Sequence, residues 1–170
     1  MCKLKVPRYI FLVFILWISC NPFAPSLDYG DSDINSLFGD QTTVEGLFQN
    51  FKYAYSMKDT LLYGKLLNQD FVFVYRDYEK GIDVSWSRNE EMHITNRLFR
   101  YAQSNEIIWN NIFFIDGDST NLNVVRNFNL SIIFNANDIY RVDGKVNLML
   151  SRDNAEDPWK IKNWRDESNY

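Results

Sequence analysis

The stretch that most constrains this chain runs from Asn121 to Asn135. Leu122, Val124, Phe128, Leu130, Ile132 and Phe134 alternate there with Asn123, Asn127, Asn129, Ser131 and Asn135. Successive side chains of a strand point to opposite faces, so this segment is a strand with one face buried and one wet, as in an antiparallel sheet. Glu106 to Ile115, closed by the turn "DGDST", supplies a strand before it. "IYRVDGKVNLMLSRD" and "PWKIKNWRDES", joined by the polar "NAED", supply two more after it.

Upstream the hydrophobic period changes from 2 to about 3.6. Thr42 to Met57 reads as a helix with Val44, Leu47, Phe48, Phe51 and Tyr55 on one stripe, and Thr42 with Glu45 has the spacing of a capping box. A short helix follows from Asp59 to Leu67, with Asp59 as its cap. "DFVFVYRD", Asp70 to Asp77, is a strand, punctuated by Gly81. "SWSRNEEMHITNRLFRYA" reads as a third helix, with Ser87 and Glu90 at capping-box spacing and Met92, Thr95, Phe99 and Ala102 as its inner stripe. Helices first and long strands afterwards define an α+β domain: three N-terminal helices packed in a curved antiparallel sheet. The length of 170 residues allows one such domain.

Ahead of the domain, Lys3, Lys5 and Arg8 precede an apolar block from Tyr9 to Ile18, and no acidic residue occurs before Cys20. A bilayer span takes about 20 apolar residues. A block of about ten behind a positive start has the layout of a secretory signal. Residues 21–40, "NPFAPSLDYGDSDINSLFGD", contain Pro, Gly, Ser and four Asp without a period, and read as an acidic tether. Asp31, Asp33 and Asn35 open like a calcium loop, but Ser36 stands where Gly is needed and Thr42 where the bidentate Glu is needed. The formal net charge is −4, and it becomes −7 when Lys3, Lys5 and Arg8 leave with residues 1–19. That balance excludes a phosphate-backbone binder, so no nucleic-acid partner is expected.

The block ending in Ser19-Cys20 resembles a bacterial lipoprotein signal. The resemblance implies that residues 1–19 are cut off and that Cys20 carries the lipid, palmitate among its acyl chains. The membrane is then a partner, each buried methylene contributing roughly 0.8 kcal/mol. Trp17 stands three residues before Cys20, where that family commonly has Leu, and Leu16 is one place early. Cys2 would leave with the signal, so the mature chain would keep no free thiol and form no disulfide. Asn21 is not the Asp that signals inner-membrane retention in some bacteria, which favours the outer membrane of the cell envelope. The residues leave open an uncleaved N-terminal anchor with Cys20 as an ordinary side chain.

The element order, with Trp86 in "SWSRNEE" and Trp159, Ile161, Trp164 and Asp166 in "DPWKIKNWRDES", resembles the nuclear transport factor 2-like superfamily, including its SnoaL-like and ketosteroid-isomerase-like domains. The resemblance covers Gln41 to Glu167. It implies a cone, a bent sheet wrapped around helices with a pocket at the open end. Members include isomerases, cyclases, epoxide hydrolases, dehydratases and domains without activity, so a scaffold is implied and not a reaction. The expected organisation is a signal over 1–19, a tether over 20–40 and the domain over 41–168.

Arg126 breaks the pattern of the long strand, since it sits on the buried parity between Val124 and Phe128. A buried guanidinium is costly unless paired. It reads as an anchor for an anionic ligand, as one half of a structural ion pair with a neighbouring strand, or as turned outward by a bulge. Tyr55, Tyr63 and Tyr75 are candidates to face a ligand. The resemblance to isomerase-type members, which set a strand carboxylate against a Tyr or acid, draws attention to Asp70, Asp77 and Asp166. None of the carboxylates falls within an apolar stripe, and no catalytic residue is assigned. His93 is the only histidine and lies off the inner stripe, beside Arg97 and Arg100, on a solvated face. With one His and no usable Cys, and no Gly-rich phosphate loop, neither metal nor cofactor is expected. Three functions stay open: a non-catalytic envelope lipoprotein binding a small apolar or weakly acidic ligand or a protein, a small SnoaL-like isomerase or hydrolase using a pocket Asp/Tyr pair, and a structural homodimer module.

Overall fold

The computed structural model describes residues 38–167. The expected signal, Cys20, residues 21–37 of the tether and the calcium-loop-like Asp31, Asp33 and Asn35 lie outside the described residues. In chain order the elements are α1 (Val44–Met57), α2 (Thr60–Leu66), β1 (Leu67–Asp77), β2 (Ile82–Ser87), α3 (Arg88–Tyr101), β3 (Ser104–Gly117), β4 (Asn121–Asn135), β5 (Asp138–Ser151) and β6 (Lys160–Asp166). The class is α+β, three helices against a curved sheet of six strands.

Helix α1 starts one residue later than the capping-box spacing predicts. Thr43, not Thr42, is the N-cap, its Oγ1 accepting from the Gly46 amide at 3.0 Å. Thr42 is held by the Asp40 carboxylate, which accepts from both its amide and its hydroxyl. Gly39 and Asp40, at the end of the predicted tether, are part of the folded unit. Asn50 on α1 accepts from the Gly39 amide and donates to the Gly39 carbonyl. Asp59 caps α2 as expected, accepting from the amides of Leu61 and Leu62 at 2.9 Å each.

The sheet order is β2-β1-β6-β5-β4-β3. Four of its pairings are antiparallel, as expected, and β1–β6 is parallel. The last strand returns to the first because β2 already covers the other edge of β1. β2 is an element that the sequence reading merges into α3: Trp86 opens no helix but lies on β2, opposite Phe73 of β1. Alternation along β4 persists through Arg126, so the bulge alternative does not apply to that strand. The register shifts opposite it put the extra residues on β3, between Trp109 and Ile112 and between Ile112 and Phe114.

The core is aromatic. Phe51 of α1 stands 4.9 Å from Tyr55, 5.5 Å from Tyr63, 5.3 Å from Trp109 and 5.4 Å from Trp164, ring centre to ring centre. It joins α1 and α2 to β3 and β6. Trp159 and Ile161, expected as packing residues of the last strand, are fully buried.

Candidate functional site

The buried stripe of α3 differs from the expected one. Glu91, Thr95 and Phe99 face inward at four-residue spacing, with Met92 only half-buried. Glu91 is 5% exposed. A carboxylate buried to that degree needs donors, and it has three. Tyr63 Oη donates to its Oε1 at 2.7 Å, Thr95 Oγ1 to the same oxygen at 2.9 Å, and Trp86 Nε1 to Oε2 at 2.6 Å. Contrary to the expectation from sequence, a carboxylate lies on the buried stripe of a helix. Ser87 stands at the N-cap of α3 without a side-chain cap bond, so the Ser87–Glu90 box does not form.

Glu91 borders a cavity of about 180 Å³ between α3 and the concave side of the sheet. Phe73, Trp86, Phe128, Leu130, Val142 and Trp164 wall it from the strands. Tyr55, Ile94, Thr95 and Leu98 wall it from the helices, and Asp166 stands half-buried at the end of β6. Phe73 and Trp86 stack with their rings 4.2 Å apart. The Trp164 indole N–H, in a residue 9% exposed, has no hydrogen-bond partner.

Burial pushes the Tyr55 phenol well above its usual range, and the Glu91 charge adds to the rise. Contacts with Tyr63 and Thr95 oppose it, and the Asp166 charge adds a last increment. Tyr63 is raised by burial first, then by Tyr55 and Glu91. Both phenols therefore remain protonated donors through neutral pH.

Of the predicted site residues, Tyr55 and Asp166 meet at this cavity. Tyr63 lies behind it, fully buried with its hydroxyl on Glu91. Tyr75 packs on Phe73 and Trp86 outside the lining. Asp70 is exposed on β1, and Asp77 is bound in the turn by the Lys80 amide and ammonium. His93 is exposed on the outer face of α3, beside Arg97 and Arg100.

Arg126 is 8% exposed, as its parity predicts, but stands elsewhere. Its Nη1 bonds Glu45 Oε2 at 2.8 Å, its Nε donates to the Asn110 carbonyl at 2.6 Å, and its guanidinium lies 4.6 Å over the Phe48 ring. The ion-pair partner is on a helix, not on the neighbouring strand anticipated. Glu91 and Trp86 are the site residues that sequence reasoning missed. The signal for Glu91 was its four-residue spacing from Thr95 and Phe99, hidden in the charged run "NEEMH".

No family model matches the chain, and no curated protein matches it in sequence. Its structure does have relatives. A scytalone dehydratase-like protein from Novosphingobium aromaticivorans superposes with a TM-score of 0.65 at 14% identity, over 82% of this chain and 89% of that one. The Kfla4162 protein from Kribbella flavida gives 0.64 at 11% identity, over 77% and 91%. A hexachlorocyclohexane dehydrochlorinase gives 0.61 at 8% identity, over 81% and 88%. The chain has the fold of the nuclear transport factor 2-like proteins, SnoaL-like domains among them.

Proposed function

We propose that the chain is a bacterial envelope lipoprotein, anchored through Cys20 to the outer membrane, whose cone-shaped domain binds a small apolar or weakly acidic molecule without transforming it. The observation that carries the ligand reading is the apolar cavity of about 180 Å³. A dry cavity of about 150 Å³ takes up a benzene-sized molecule. The ligand is accordingly of single-ring size, below the range of about 300–1,000 Å³ typical of drug-sized sites. Glu91 and Asp166 at the lining oppose an anion, so a weak acid enters in its neutral form. The three donors on Glu91 take up most of its accepting capacity, which supports binding over proton abstraction.

The test is a calorimetric titration of the full chain with phenol and cyclohexanol. Saturable binding is expected, lost in Val142→Phe, which fills the cavity from its half-buried wall. No binding to the wild type, or equal binding to Val142→Phe, overturns the ligand reading. For the anchor, mass spectrometry of the chain purified from a bacterial host is expected to give an acylated N-terminal Cys20. An N-terminus at Met1 without acyl mass overturns it.

Asp166 and Tyr55 on one cavity favour a second reading, a small isomerase with Asp166 as base and Tyr55 steadying an enolate. Exchange of the α-protons of a small enolisable ketone, abolished in Asp166→Asn, would select it. The exposed apolar side chains of β3 and β5, Phe113 and Tyr140 among them, keep the homodimer reading open. Light scattering on the full chain tests it.

A further inference from the structure

We infer that a second ligand site, separate from the cone cavity, lies on the outside of the helix pair and takes an anion carrying an apolar tail. A groove of about 610 Å³ opens there between α2, the start of α3 and the start of β6. This volume, unlike that of the cone cavity, falls in the range of ordinary small-molecule sites, about 300–1,000 Å³. Lys65 of α2, Arg88 of α3 and Lys160 of β6 all line it, and no carboxylate does. An adjoining depression of about 430 Å³ shares Arg88 and Met92 with it and adds Asn89, His93 and Asn96, again without a carboxylate.

Three cations facing one hollow are conspicuous in a chain whose formal net charge is −4. The ion pairs among the described residues join Arg76 and Arg165 to Asp83, Lys80 to Asp77, and Arg126 to Glu45. None uses the groove cations. No carboxylate in the lining neutralises them, so an anion meets an unopposed positive wall.

Local geometry prepares the groove. Arg88 is steadied by one Nη2 bond to the Gly64 carbonyl at 2.8 Å, while its Nε has no partner. Gly64 lies in the floor. A side-chain carbon there would meet Met92 Cε at 3.1 Å and Arg88 Nη2 at 3.5 Å, so its absence keeps the floor open. A guanidinium flanked by two ammonium groups recognises a carboxylate or phosphate head. Leu61 and Met92 offer apolar surface to an alkyl part. The occupant is a free amphiphilic anion, and the site does not depend on the cone cavity being a ligand site.

The full chain titrated with octyl phosphate and octanoate tests this. Both are expected to bind the wild type and to bind about tenfold more weakly to the Lys65→Gln/Lys160→Gln double variant. Both lysines are exposed, so the variant is expected to keep the wild-type circular dichroism and Tm. Octyltrimethylammonium, with the same tail and opposite charge, is not expected to bind. Phosphatidylglycerol vesicles distinguish a bilayer headgroup from a free molecule, since the double variant is expected to bind them as the wild type does. Octyl phosphate binding is expected to survive Val142→Phe, which blocks the cone cavity instead. The proposal is overturned by equal affinity in the double variant, by binding of the cationic analogue, by no binding of either anion, by loss of vesicle binding in the double variant, or by loss of octyl phosphate binding in Val142→Phe.

Discussion

Glu91 and Arg126 are buried charges with opposite construction. Glu91 takes three donors from three elements, so each donor removed leaves a carboxylate oxygen less satisfied in a dry setting. Tyr63→Phe is expected to lower stability by roughly 1–3 kcal/mol, the usual range for stripping a partner from a buried polar group. Denaturant unfolding measures it. Arg126 is different because its carboxylate partner is accessible, the Glu45 side chain being 66% exposed. Glu45→Gln is expected to cost less than about 1 kcal/mol. Arg126→Ala is expected to cost more, roughly 2–3 kcal/mol, since it also removes the contact with Phe48 and the bond to the Asn110 carbonyl. A reversed order in that pair of variants would mean that the ion pair outweighs packing and backbone bonding. Alternation alone gave Arg126 the buried parity of its strand. What it touches could not be read that way, because Glu45 lies 81 residues away in the chain.

At the scale of elements, local signals succeeded where the partner was also local. Asp59 caps α2, and the Asp118 carboxylate organises the β3–β4 turn by accepting from the amides of Thr120 and Asn121. Two capping boxes with correct spacing did not form. Thr42 was captured by Asp40, Glu45 by Arg126, and Glu91 rather than Glu90 became the structural carboxylate of α3. The N-caps offer a direct comparison. Asp59→Ala is expected to cost about 1 kcal/mol, since it frees two helix amides. Ser87→Ala is expected to be near neutral, since its hydroxyl makes no cap bond. Thermal melts of the two variants check it. The boundary between β2 and α3 was illegible because "SWS" carries neither clear alternation nor a helix stop. Pairing with β1 makes it a strand.

For the molecule as a whole, stability depends on pH at both ends of the range. Asp40, Asp77, Asp83 and Asp118 are held below their usual range by hydrogen bonds, from Thr42, from Lys80, from Arg76 and Arg165, and from the Thr120 and Asn121 amides respectively. The folded state then binds fewer protons than the unfolded one. Their contribution is present above the ordinary aspartate pKa of about 3.9 and is lost as pH falls through the lowered values. Tyr55 and Tyr63 are raised, so the unfolded chain loses those protons first. Their contribution is present below about pH 10, the ordinary tyrosine value, and is lost as pH rises beyond it. Tm is expected to hold a plateau between these limits and fall beyond each. Tyr55→Phe should flatten the alkaline limb, and an unchanged limb would contradict the burial of that phenol.

The sequence by itself determined the α+β class, three helices, the four late strands, the buried parity of Arg126 and the apolar stripe of α1. Each depends on periodicity within one segment, which the backbone geometry of helix or strand converts directly into a face. Tertiary structure alone decided the parallel pairing of β1 with β6, the existence of β2, the partners of Arg126, and the meeting of Tyr55, Glu91, Trp86, Trp164 and Asp166 around one cavity. Those side chains come from four elements spread over Tyr55 to Asp166. Their convergence depends on how the sheet curves over the helices, and no spacing within a single segment encodes it.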